Sequence, residues 1–333
     1  MPSETLAPPT AAPEAAPVKR AALGSQAGRQ LVLVVLLVGL MAYFGLRLPS
    51  FGTLENLQSV LRNLVEVGLI ALPMTYVIVT AGIDLSVGSI VGLTAVVLGQ
   101  AWHSWRIELV PAVLLALCVS TAGGALNGAM IGFGRVPALV ATLGTMAIYR
   151  GLALAISRAE PVSDFPLGFG SLGNGYVGPI PLQVLLFVPL ALGFAIYLAR
   201  TKGGRALYAL GAKEPAAHLS GVPVAWAKLW VYSSAGLVSG LAAIIFVSRV
   251  STAKADAGLG MEMDAIAAVI LGGASVAGGE GTILGTLLGL ALIAVVRNGL
   301  LLSDLGSEPQ SVVIGALLIG AVLLDRLLHR GTE

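Results

Sequence analysis

The stretch VTAGIDLSVGSIVGL, Val79 to Leu93, sets an aspartate between two glycines within otherwise apolar sequence. Residues 57–80 upstream and 87–102 downstream are both predominantly apolar. Two readings of the joint stay open. One is a tight turn between two membrane helices, with Asp84 and Ser86 capping the second. The other is a broken helix whose freed backbone groups line a path through the protein. The reading of the fold depends on how many such apolar runs surround it.

The chain has 333 residues, of which 56% are hydrophobic and only 11% charged, with a mean hydropathy of +0.92. A soluble protein of this size could not solvate its surface with so little charge. Charges gather between apolar runs rather than alternating along them, which argues against an outer-membrane barrel. A bilayer core takes about 20 apolar residues per helix. The sequence predicts an all-α, polytopic membrane bundle of ten helices: 31–47, 57–80, 87–102, 109–131, 136–156, 183–199, 229–248, 263–277, 283–302 and 309–328. The joints after the second and eighth runs are glycine-rich and could be breaks inside the membrane, which would leave eight or nine full spans.

The positive-inside rule gives an orientation. With both termini cytoplasmic, the inside collects eleven of the nineteen Lys and Arg: Lys19, Arg20, Arg29, Arg135, Arg200, Lys202, Arg205, Lys213, Lys228, Arg326 and Arg330. Residues 1–28, rich in Ala and Pro, read as a disordered cytoplasmic tail, and 29–330 as one transmembrane domain with a cytoplasmic loop at 200–228. The segments 157–182 and 249–262 then lie outside, the first as an irregular Gly- and Pro-rich cap.

Several chemistries are absent from the sequence. There is no GxxxxGK[ST] phosphate loop, no HExxH and no serine nucleophile elbow. His103, His218 and His329 stand far apart without metal-ligand spacing. Cys118 is the single cysteine, so no internal disulfide can form, and a net charge of +2 gives no reason to expect nucleic-acid binding. Any ATP used in transport must be bound by another chain.

Polar groups at membrane depth are costly and face partners or wet cavities. Asp84, Ser86 and Asn127, the last within TAGGALNGAMIGFG, are candidates for a translocation path or helix break. Glu66, Asp264 and Arg297 are candidates for intramembrane ion pairs. Arg297 either snorkels outward or pairs with Glu66 or Asp264. In the 200–228 loop, GRALYALGAKEPAAHLSGVPV carries Pro215 near a helix start and Gly221 and Pro223 at its stop. From the residues alone, it is either a connector or a short helix that docks a partner.

The spacing Glu214-x-Ala216-Ala217-x-x-x-Gly221 resembles the cytoplasmic EAA-type motif of bacterial ABC importer permeases, with Pro215 where that motif has Ala. Three further blocks, GIDLSVGSIVGLTAVV (82–97), ATLGTMAIYRGLAL (141–154) and MDAIAAVILGGASVAGGEGTILGTLLG (263–289), resemble the ribose-type sugar ABC permeases, in the family's order. The resemblance covers about 45–325. Residues 67–86 look nearer the rhamnose and autoinducer-2 branch, whose systems use two different permease chains.

The resemblance implies a non-enzymatic permease subunit of the bacterial inner membrane that carries a pentose, a deoxyhexose such as rhamnose, or autoinducer-2. It also implies an ABC ATPase subunit that binds the ATP and Mg, a second permease copy or homologue, and a periplasmic sugar-binding protein. The chain itself would hold no cofactor, and Glu214, Ala216, Ala217 and Gly221 would form the ATPase-coupling helix. The competing readings are a branched-chain amino-acid ABC permease, an ion-coupled secondary transporter and a membrane-embedded enzyme.

Overall fold

The computed structural model describes residues 26–320, apart from 305, 307, 308, 311 and 318. Most of the predicted tail and the end of the predicted tenth span lie outside these residues. The helices are α1 (Gln26–Arg47), α2 (Leu54–Val79), α3 (Val87–His103), α4 (Leu109–Gly132), α5 (Ala138–Ser157), α6 (Gly170–Asn174), α7 (Leu182–Arg200), α8 (Lys202–Ala212), α9 (Glu214–Leu219), α10 (Val224–Val250), α11 (Met261–Leu271) and α12 (Ile283–Leu302). A two-residue hairpin, β1 (Tyr176–Val177) and β2 (Ile180–Pro181), pairs antiparallel in the segment 157–182.

Among the described residues seven helices, α1, α2, α4, α5, α7, α10 and α12, are long and apolar enough to cross a membrane. They fall into two classes by burial. α2 and α10 are largely enclosed and α12 is about half enclosed, while α1, α4, α5 and α7 keep most of their apolar surface outward. A helix that is apolar all round can satisfy its backbone internally and present side chains to protein and lipid alike. The inner helices therefore serve as the core, and the outer ones are a sleeve for the bilayer.

Two helices are shorter than a full bilayer span. α3 has 17 residues, or about 26 Å at 1.5 Å per residue, and is buried along nearly its whole length. The eighth predicted span, 263–277, is corrected: α11 has 11 residues and stops at Leu271. Gly272 caps it and Gly273 takes φ +88°, a left-handed conformation that cannot continue a helix. Apolar composition carried the sequence-based boundary past the point where the backbone turns.

Glycines set how closely the inner helices approach. On α4, a Cβ at Gly124 would strike the carbonyl of Tyr232 and come within 2.8 Å of Gly236 N; Gly236 meets α4 in the same way from α10. The segment between α10 and α11 runs beside α3, where Gly92 and Gly99 leave room for Ala255 and Ala253. Arg150 of α5 closes this layer: its guanidinium donates to the carbonyls of Ala255, Ala257 and Gly88. The irregular segment is tolerated beside α3 because a side chain supplies the hydrogen bonds its own backbone lacks.

Gly124→Ala should therefore lower the melting temperature in detergent by several degrees, since overpacking costs about 1–3 kcal/mol. Gly144→Ala, where a Cβ meets nothing within 4 Å, should leave it unchanged or raise it. Equal effects would contradict this packing.

Candidate functional site

The α2–α3 joint, residues 80–86, carries Asp84 and Ser86 inside the protein. Asp84, Ser86 and Asn127 are fully buried there. Asp84 Oδ1 accepts from both Ser86 N (2.9 Å) and Ser86 Oγ (2.7 Å). Asn127 of α4 donates from Nδ2 to Ser86 Oγ at 2.7 Å. The three residues thus form one hydrogen-bonded chain across the break. Ser86 stands at the N-cap of α3, yet its side chain makes no capping bond; it links Asp84 to Asn127 instead.

The backbone groups freed at the break also have partners. Gly82 N donates to Val77 O at 2.9 Å, and Thr142 of α5 donates its hydroxyl to Ile83 O at 3.0 Å. Asp84 Oδ2, Asn127 Oδ1 and the Tyr232 hydroxyl are buried without a hydrogen-bond partner among the described residues. Tyr232 is close by, since a Cβ at Gly82 would lie 2.5 Å from its hydroxyl. Sequence reasoning missed Tyr232: in an apolar run, one tyrosine gives no sign of facing a carboxylate-bearing loop.

The ion-pair candidates separate into two bridges. Arg297 Nη2 on α12 donates to Asp264 Oδ1 on α11 at 2.6 Å. Glu66 on α2 is bound in bidentate fashion by Arg249, from Nε at 2.6 Å and Nη2 at 2.9 Å. Arg249 was not foreseen as a partner because the sequence sets it at the edge of an apolar run, where it reads as the start of a loop. It is still the last turn of α10. Such forked, charge-assisted contacts carry directional specificity as well as energy.

Arg249 also lines a cavity of about 200 Å³ with Ser59, Arg62, Asn63 and Asn174. Arg62 lies over the Tyr176 ring, 5.5 Å from its centroid. The lining offers guanidinium, amide and hydroxyl donors and no carboxylate, chemistry suited to an oxygen-rich solute.

At the opposite end of α10, the 200–228 segment forms two helices where the sequence suggests one. Thr201 caps α8, its hydroxyl accepting from Gly204 N at 3.0 Å. Lys213, extended at φ −162°, separates α8 from α9. Glu214 begins α9 and Pro215 sits in its first turn, where a missing N–H costs nothing. Ala217 is buried, Ala216 is exposed, and Gly221 takes φ +83° just past the helix end. Glu214 pairs with Lys228 at 2.8 Å. Leu219 is 88% exposed, an apolar side chain without cover in this structure.

α8 is anchored from behind. Tyr208 donates its hydroxyl to Gly281 O at 2.6 Å, within the irregular segment between α11 and α12. The start of α1 holds the same segment, through Arg29–Glu280 at 2.8 Å and Gln30 to Thr282 at 3.2 Å. Nearby, Tyr197 of α7 stacks on Trp230 of α10 with centroids 4.6 Å apart, and Tyr76 of α2 donates to Phe194 O.

Arg249→Leu would leave the Glu66 carboxylate buried without its partner. A loss of about 3–5 kcal/mol in detergent stability is expected, with much of it restored in Glu66→Leu/Arg249→Leu. Additive losses in that double-mutant cycle would show that the bridge carries no coupling.

The profile of the family described as "Branched-chain amino acid transport system / permease component" matches residues 56–322. The chain is 40% identical over 280 residues to the ribose import permease protein RbsC of Bacillus subtilis, covering 84% of this chain and 87% of that one. It is 39% identical over 300 residues to RbsC of Escherichia coli K12, covering 88% and 92%. It is 35% identical over 315 residues to the autoinducer 2 import system permease protein LsrD of Photorhabdus temperata, covering 92% and 94%. No solved structure matches the chain. Near-complete coverage by both groups, together with the apolar helices, makes the chain a multi-pass inner-membrane protein that belongs to this permease family, among its ribose-type sugar ABC permeases.

Proposed function

We propose that this permease is the membrane-spanning subunit of an importer for a monosaccharide-like solute, driven by a separate ATPase chain that docks on α8 and α9. The solute class is a pentose, a deoxyhexose or autoinducer-2. The observation that carries the reading is α9 itself. It is a six-residue helix in a charged, non-spanning segment, packed on α8 and the start of α10, with Leu219 outermost. A connector has no need to hold an uncovered leucine on a capped helix. A docking helix does, because an apolar knob in a partner's groove supplies affinity.

In this reading both termini and 200–228 are cytoplasmic, and the cavity at Arg62 and Arg249 faces the periplasm. α3 and α11 count as membrane segments, and 309–328 as the last of ten. A periplasmic binding protein delivers the solute, and a second copy or a homologous permease completes the path. Closure of the ATPase pair around ATP and Mg moves α9 as a rigid body and shifts the bundle between two states. This chain contributes no cofactor. Asp84, Ser86 and Asn127 supply polar groups at the break beside the path. The family description also admits a branched-chain amino acid as solute, but the sugar-import names of the relatives favour the first reading.

Gly221→Pro cannot keep φ +83°, and Glu214→Ala removes the pair to Lys228. Each should abolish ATP-dependent uptake of radiolabelled ribose or the system's own sugar, while membrane insertion stays normal. Full uptake by both variants would remove the coupling role of α9.

A further inference from the structure

Behind the docking helix lies a joint made almost entirely of backbone. Gly211 is the last residue but one of α8, and a Cβ there would collide with Val79 O and come within 2.6 Å of Gly279 N. Val79 is the last residue of α2, and its carbonyl accepts from Gly279 N at 2.9 Å. Gly278, at φ +88°, faces both sides: a Cβ there would lie 2.7 Å from Ala81 Cβ and 2.8 Å from Gly211 O. Gly281 packs against the Val79 side chain, and its carbonyl receives the Tyr208 hydroxyl. Three elements distant in sequence therefore meet without intervening side chains: the end of α8, the segment 275–281 and the end of α2.

The position of this joint gives it significance. Val79 is followed within five residues by Asp84, the first member of the chain to Ser86 and Asn127. The joint is also latched to α1 through Arg29 and Glu280. Contacts between backbones have no rotamers to absorb displacement, so a shift of α8 passes directly into the segments it touches.

We propose that Gly211, Gly278 and Tyr208 form a mechanical relay that carries movement of α8–α9 into the α2–α3 break, so that nucleotide state at the docking helix resets the Asp84–Ser86–Asn127 chain. The relay rests on the coupling role proposed above for α9. Its distinguishing consequence is that disturbing the joint separates ATP hydrolysis from change at the break, although none of the three residues touches ATP or solute.

The test uses the complex purified in mild detergent from its own bacterium. Ile83, partly exposed beside Asp84, is replaced by cysteine in a Cys118→Ala background, and its labelling by a water-soluble maleimide is timed. With the joint intact, nucleotide-free and vanadate-trapped Mg-ATP states should differ in labelling rate by at least about fivefold, the lower end of ordinary coupling. Tyr208→Phe removes only the hydroxyl bond to Gly281, and Gly211→Ala forces the joint apart. In either variant the difference should fall below about twofold, with ATP hydrolysis retained. The relay is overturned if the full difference survives both substitutions, or if labelling is insensitive to nucleotide with the joint intact. Should Gly211→Ala fail to accumulate, Tyr208→Phe decides alone. A complex that contains no ATPase contradicts the proposed function and the relay with it, a result visible before any labelling is done.

Discussion

The structure depends on keeping backbone polar groups satisfied where α2 stops inside the protein. Away from water, an unpaired amide or carbonyl costs several kcal/mol. The break at 80–86 meets that demand from four directions. Val77 O receives Gly82 N, Thr142 covers Ile83 O, Asp84 covers Ser86 N, and Gly279 N covers Val79 O. α5 and the segment before α12 are thus tied to one short stretch of chain, and Asn127 of α4 joins it through Ser86 Oγ. The same stretch holds an aspartate with one oxygen unpartnered among the described residues, beside Asn127 and Tyr232.

The rest of the fold arranges small and large residues around that constraint. In a bilayer the hydrophobic effect does not drive helices together, so close backbone approach matters more than apolar bulk. Gly124 against Gly236, and Gly92 and Gly99 beside the segment after α10, carry the inner contacts. Bulky residues of the outer helices point outward: Leu143, Ile148 and Leu152 on α5, and Leu186, Leu192 and Ile196 on α7, are all exposed. The two bridges, Glu66–Arg249 and Asp264–Arg297, sit at helix–helix contacts and fix register where apolar side chains alone are interchangeable.

Much of this was legible in the sequence, for identifiable reasons. Long apolar runs mark the membrane helices, and among the described residues seven are of spanning length. Asp84, Ser86 and Asn127 stood out singly as polar residues in apolar surroundings, but no spacing rule shows that a side chain 41 positions on reaches Ser86 Oγ. Arg297 had two acidic candidates at equal standing, and only the packing of α11 on α12 brings Asp264 to it. α11 was drawn too long because hydropathy does not register the left-handed turn at Gly273. The break between α8 and α9 went unseen because a single extended residue, Lys213, makes it. In each case the missing information was backbone conformation or long-range proximity rather than residue type.

The account rests on one claim, that this sugar-type permease works by lending α8 and α9 to a separate ATPase. Native mass spectrometry of the tagged chain, extracted from its own bacterium in mild detergent, tests it most directly. The account predicts an ATPase chain bound together with two permease chains, either two copies of this one or one copy beside a homologue. The chain found alone, and still active in transport without any ATPase, would contradict it and reduce residues 200–228 to a connector.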